Sequence, residues 1–153
     1  MPFHYQLYDY WLRSTGVWVS PLLMLNVDWL SESEILAIAQ THDLERVEFG
    51  IKMSWEYRKK PESGYMSWCV DTQHPNVVFT DKSLSRNSAP SIFNYQMQDA
   101  DRLIMSVGKY EETIMLESCC RRLREQRYEG KLMRRLWEKK VDATIAPKLA
   151  MVS

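Results

Sequence analysis

Val47-Glu48-Phe49-Gly50-Ile51-Lys52-Met53-Ser54-Trp55-Glu56-Tyr57-Arg58 is the stretch that decides the fold. Its odd positions are apolar or aromatic throughout, whereas the even ones carry Glu48, Lys52, Ser54, Glu56 and Arg58. Successive side chains of a strand point to opposite faces, so this alternation predicts an antiparallel strand with one dry and one wet face. Lys59-Lys60-Pro61-Glu62-Ser63-Gly64 follows as a turn, punctuated by proline and glycine, and Tyr65 to Val70 returns as a second strand. His74-Pro75-Asn76 turns the chain again into a short strand at Val77-Val78-Phe79, and Lys82 to Pro90 reads as a polar, irregular loop. Further strands are expected at Ile92 to Met97, Arg102 to Met115 and Glu117 to Arg124, with Gln98-Asp99-Ala100-Asp101 as a tight turn. Gln126 to Lys140 suits either a strand or a helix by its own pattern.

Upstream of the decisive strand the period changes. Tyr5, Tyr8, Trp11 and Leu12 recur at helical spacing, which predicts a helix over Tyr5 to Arg13. Gly16 breaks it and Val17-Trp18-Val19 begins a strand. Ser31 with Glu34 forms a capping box, and Ile35, Leu36, Ile38 and Ala39 supply the buried face of a second, short helix that ends near His42-Asp43. Short strands with turn signals about every ten residues predict a mainly β fold: an antiparallel up-and-down barrel with a helix at one end. Such a barrel of about eight strands holds one small ligand in its interior.

The 153 residues are enough for one domain with its own core. That domain is expected over residues 1–141, and residues 142–153, which lack periodicity, are expected to form a frayed tail. Twenty basic and twenty acidic side chains cancel, which argues against a nucleic-acid binder, whose affinity rests on excess positive charge. Met1-Pro2-Phe3-His4-Tyr5 shows no leader pattern, and the apolar run from Trp18 to Leu30 is too broken to span a bilayer, so a cytoplasmic protein without membrane partner is expected. Cys69, Cys119 and Cys120 offer no CxxC spacing, so neither a disulfide framework nor a metal site is expected, and the thiols read as buried and structural. His4, His42 and His74 read as solvated side chains.

No glycine-rich phosphate loop, GxSxG elbow or HExxH is present. What remains is a mixture of aromatics, carboxylates and arginines on strands. On a regular strand Glu111, Thr113, Met115 and Glu117 share one face, and Glu112, Ile114 and Leu116 the other. If the first set turns inward its carboxylates need cationic partners; if the second does, Glu111 and Glu117 lie outside. Between Arg121 and Lys140, Arg121, Arg122, Arg124, Arg127, Lys131, Arg134, Arg135, Lys139 and Lys140 stand against Glu125, Glu129 and Glu138. This reads either as a docking place for an anion or as a solvated face.

Three co-linear fragments resemble a known family. Ser14-Thr15-Gly16-Val17-Trp18-Val19-Ser20 is similar to the opening "S-x-G-x-W-x-S" of the S-type phycobilin lyases, and Lys52-Met53-Ser54-Trp55 to their "V-S-W" strand. Lys109-Tyr110-Glu111-Glu112, Glu117 and Gln126-Arg127-Tyr128 resemble their "E-Y-E-T … E-R … N-L-R-x-R" region. The resemblance runs from Phe3 to Arg135 and implies a lipocalin-like (calycin) barrel of about ten strands with an N-terminal helix. It implies that the chain binds a linear tetrapyrrole, phycocyanobilin or phycoerythrobilin, as substrate and assists its thioether attachment to a cysteine of a phycobiliprotein subunit. It implies a cytoplasmic or plastid-stromal setting, with a second lyase subunit or a homodimer as further partners.

By the same resemblance Trp18, Trp55 and Tyr110 line the bilin, Arg127 meets a propionate, and Glu111 or Glu117 is the catalytic carboxylate that polarises the chromophore for an incoming thiol. The chain departs from the family pattern at Pro21-Leu22-Leu23-Met24, at Glu129 in place of the second arginine of the R-x-R pair, and by stopping short of the usual last strand. A non-catalytic bilin carrier, a T-type lyase, or a barrel for another apolar ligand or a protein partner are the alternatives.

Overall fold

Strict alternation builds a barrel only if every strand finds two neighbours, and the chain arranges this by simple up-and-down pairing. The computed structural model describes residues 4–59, 61–81 and 91–141. Helix α1 (Tyr5–Ser14) leads into β1 (Gly16–Val19) and β2 (Leu23–Trp29), and α2 (Glu32–Thr41) intervenes before β3 (Val47–Tyr57). Then come β4 (Ser63–Asp71), β5 (Val77–Asp81), β6 (Ser91–Asp99), β7 (Arg102–Val107), β8 (Tyr110–Ser118), β9 (Arg121–Tyr128) and β10 (Lys131–Val141). Consecutive strands pair antiparallel, and β1 pairs β10 through Val17 and Val141, so the sheet closes as a lipocalin-like barrel. Closure removes the edge strands that would otherwise invite aggregation.

The dry face of β3 points into the barrel: Phe49, Ile51 and Met53 are buried, and Trp55 packs on the same cluster. Helix α1 plugs one end. Leu7, Tyr10 and Trp11 are buried there, Trp11 meets Phe49 edge-on at 5.7 Å, and the Tyr10 hydroxyl donates to the Ile114 carbonyl at 2.8 Å. Aromatic edge-to-face contacts and satisfied hydroxyls are what fix a plug of this kind, since area burial alone is non-directional. The second helix has the expected capping box at Ser31 and Glu34. It packs outside the barrel, where Ile38 joins Leu30, Cys69 and Phe79 in a small second cluster. Leu36, expected on its buried face, is 58% exposed.

Several expectations are corrected. Ten strands form, the number the resemblance implies and two more than the turn spacing alone suggested. The single strand expected over Arg102 to Met115 is a hairpin, because Gly108 at φ 57 lets the chain turn between β7 and β8. The strand expected from Glu117 is interrupted by a turn at Cys119-Cys120 before β9 begins. Strand β2 was not foreseen: the Ser20-Pro21-Leu22 turn folds the apolar run back as a hairpin pairing Trp18 with Leu25. The Gln126 to Lys140 ambiguity resolves to strand, through a turn at Glu129-Gly130.

Cys69 is buried as expected, whereas Cys119 and Cys120 are exposed. His4 is not solvated: its ring is buried, with Nδ1 2.5 Å from the Tyr95 hydroxyl and Nε2 2.6 Å from the Asp71 carbonyl. The Lys82 to Pro90 loop and the 142–153 tail lie outside the described residues. Among those described, no helix is long and apolar enough to cross a membrane.

Candidate functional site

Strand parity on β8, β9 and β10 sets the character of the lumen. On β8 the even residues Glu112, Ile114 and Leu116 are buried and the odd residues face away. The register pairs Glu112 with Gln126 and Ile114 with Arg124, so Arg122, Arg124 and Gln126 share the inward face of β9. From β10, Leu136 and Glu138 are buried beside them. The lumen therefore has an apolar wall from β2–β7 and a polar one from β8–β10.

At the end opposite α1 a cavity of about 420 Å³ lies between these walls. Leu23, Leu25, Met53, Trp55, Tyr57, Met66, Trp68 and Phe93 form its apolar side, and Tyr110, Glu112, Arg124, Gln126 and Arg134 its polar side. That volume and this mixture, a mostly apolar lining with a few convergent polar groups, match an ordinary small-molecule site. Trp55 owes its place to Gly64, its partner on β4: a Cβ at position 64 would come 2.5 Å from the indole Cζ2.

The polar groups form one chain. Arg124 donates through Nε (3.0 Å) and Nη2 (2.5 Å) to Oε1 of Glu112. Gln126 donates to the same oxygen at 3.5 Å, and the Tyr110 hydroxyl reaches Oε2 at 3.4 Å. On its other side Arg124 lies 3.6 Å from Glu138, which takes two hydrogen bonds from Arg122 at 3.3 and 3.1 Å. Burial pulls the Arg124 pKa down, but Glu112 and Glu138 outweigh it and the guanidinium is held charged. Burial, then the Glu112 carboxylate, push the Tyr110 phenol up, so it stays a neutral donor. Arg122 and Arg124 are thus matched by Glu138 and Glu112. Arg134, at the cavity wall with its guanidinium 5.8 Å from the Tyr57 ring, has no carboxylate partner among the described residues.

Of the residues singled out from sequence, Trp55 and Tyr110 line this cavity. Trp18 does not: it is fully buried, its indole donates to the Ser14 carbonyl at 2.9 Å, and the Arg122 guanidinium lies 4.3 Å over its ring. Glu111, Glu117 and Arg127 stand outside the lumen. Glu111 and Arg127 pair across β8 and β9 on the outer face, where Arg127 also meets Glu125 at 3.4 Å. Glu117 is exposed near the α1 end, held by Arg121 at 3.1 Å. The lumen neighbour of Glu111 is Glu112, one residue on, and that of Arg127 is Gln126, with Arg124 two residues further back on the same inward face. Ile114 and Leu116 carried the signal, since a strand that buries both also buries Glu112. Gln126 and Arg134 had no such marker. Among the described residues no cluster of three or more metal-ligating side chains occurs.

These features define a lipocalin-like barrel with an apolar lumen closed on one side by a buried ion network. The same architecture is seen in the solved S-type phycobiliprotein lyase CPES from Guillardia theta, with a TM-score of 0.65, 19% identity, and 94% of each chain covered. At that identity the likeness is one of fold. No protein-family model matches the chain, and no curated protein matches it by sequence.

Proposed function

We propose that the chain holds a linear tetrapyrrole in the lumen and assists its thioether attachment to a cysteine of a phycobiliprotein subunit. The observation that carries this reading is the pairing of an apolar, aromatic wall with Arg134, a cation lacking a carboxylate partner among the described residues, in a barrel of the lyase fold. A bilin is an extended apolar conjugated system with two propionates and a line of pyrrole nitrogens. Trp55, Met53, Trp68 and Phe93 suit its rings, Arg134 suits a propionate, and the Glu112 carboxylate suits the pyrrole N–H groups. Tyr110, whose hydroxyl donates to Glu112 at 3.4 Å, suits an aromatic contact with the chromophore at the polar side. The acceptor protein supplies the nucleophile, so the lumen needs no triad of its own.

A carrier that binds bilin without transferring it is the second reading. It is favoured by the engagement of Glu112, whose Oε1 already takes two bonds from Arg124, leaving it better suited to holding a cationic chromophore than to passing a proton. A visible absorption titration with phycocyanobilin and phycoerythrobilin tests both. Binding should give a red-shifted, sharpened long-wavelength band that saturates at one equivalent. Transfer to an apo-subunit then separates lyase from carrier, and a spectrum identical to free bilin removes both.

A further inference from the structure

The turn between β8 and β9 carries two adjacent thiols that the lumen does not use. Cys119 and Cys120 are exposed, and their Sγ atoms lie 3.2 Å apart in hydrogen-bonding contact. They sit at the α1 end of the barrel, across the molecule from the lumen cavity. A second cavity of about 450 Å³ opens beside Cys119, bounded by Arg13, Asp101, Glu117 and Lys140. The two carboxylates there are spoken for: Asp101 pairs with Arg13 at 2.8 Å and Glu117 with Arg121 at 3.1 Å. Lys139 and Lys140 carry the surplus charge, and Lys140 is tied to the turn by its backbone N–H, which donates to the Cys120 carbonyl at 2.7 Å. An exposed thiol in electropositive surroundings with a second thiol in contact is the setting in which cysteines react with disulfides. Cys69 has the opposite setting, buried in the α2 cluster, where desolvation pushes its thiol up to about 12.

We propose that Cys119 and Cys120 form a thiol–disulfide exchange site for a small disulfide that carries carboxylates, drawn by Lys139 and Lys140. The Cys119 thiolate attacks one sulfur of the small disulfide, its S–S bond breaks, and one small thiol leaves with a mixed disulfide left on Cys119. The Cys120 thiolate then attacks Sγ of Cys119, forming the Cys119–Cys120 bond and expelling the second small thiol. In sum the two cysteines are oxidised by two electrons, the small disulfide is reduced to two thiols, and the two cysteine protons leave with them. The hydrogen-bonding contact between the two sulfurs, which raises the Cys120 thiol despite the neighbouring lysines, suits Cys119 as the attacking sulfur and Cys120 as the resolving one. This site stands apart from the lumen and does not rest on the bilin reading.

The test is intact-mass and peptide mapping of the folded, reduced protein after incubation with oxidised glutathione. The wild type should lose two hydrogens at Cys119–Cys120, and the Cys120→Ser variant should retain one tripeptide on Cys119. A wild type that keeps the tripeptide on either cysteine, reacts only at Cys69, or does not react overturns the exchange site. Oxidised glutathione should also react several-fold faster than the uncharged bis(2-hydroxyethyl) disulfide. Combined Lys139→Gln and Lys140→Gln substitution should erase that preference. Equal rates in the wild type overturn the role of the lysines.

Discussion

The two faces of β8 and β9 carry the same residue types and do different things with them. Inside, Glu112, Arg124, Arg122 and Glu138 form a continuous buried chain in which Arg122 and Glu138 are only 4% and 1% exposed. Outside, Glu125 is shared by Arg127 at 3.4 Å and Arg135 at 2.7 Å in contact with water. The Coulomb attraction is similar in kind, but the medium is not. A desolvated charge that loses its partner has no water to turn to, whereas an exposed one exchanges its partner for solvent. The inner face thus commits the barrel to a fixed polar wall, and the outer face is replaceable.

The sharpest way to break this comparison is to remove one carboxylate from each face. Glu138→Ala should destabilise the fold by about 3–5 kcal/mol, because Arg122 is left buried without a counter-ion. Glu125→Ala should change stability by less than about 1 kcal/mol. Urea denaturation of the two variants measures both, and equal losses would mean that burial does not separate the faces. The next effect is on ligand. Arg134→Ala should weaken bilin affinity by about tenfold to a hundredfold, the range of a hydrogen bond to a charged group, while Arg127→Ala should leave it near wild type. Absorption titrations of the two variants decide this.

A smaller effect concerns pH. The Cys69 thiol is raised from 9.0 to about 12 by burial, and Tyr95 from 10.0 to about 12, also chiefly by burial. Above pH 9 the unfolded chain loses the Cys69 proton while the folded one keeps it, so protons are bound more tightly in the native state and stability falls as pH rises toward 12. Cys69 alone should account for about 1 kcal/mol by pH 10. The urea midpoint should drop over this range, and Cys69→Val should lessen the drop. The smallest effect is the control on the outer face: Glu111→Gln should lie within about 0.5 kcal/mol of wild type in the same assay.

Why the sequence disclosed the barrel but not its polar wall follows from the same two faces. Val47 to Tyr57 alternates apolar with polar, so both the strand and its inward side could be read directly, and the Ser31–Glu34 capping box marked α2. Arg121-Arg122-Leu123-Arg124-Glu125-Gln126-Arg127 has charges on both faces, and its one apolar residue, Leu123, faces outward. Nothing in that string marks which parity is inside; only its register with β8 does. The family resemblance points to β8 and β9, where Glu111 and Arg127 lie on the outer face, away from the lumen. One turn was hidden for a related reason: Val107 and Tyr110 flank Gly108-Lys109 as if one strand ran through.

The most direct measurement is a parallel phycocyanobilin titration of the wild type, Glu112→Gln and Glu111→Gln, followed by visible absorption. The lumen account predicts a saturating red shift for the wild type, the same curve for Glu111→Gln, and a weaker or blue-shifted band for Glu112→Gln. No shift in the wild type, or a change in Glu111→Gln as large as that in Glu112→Gln, would contradict it.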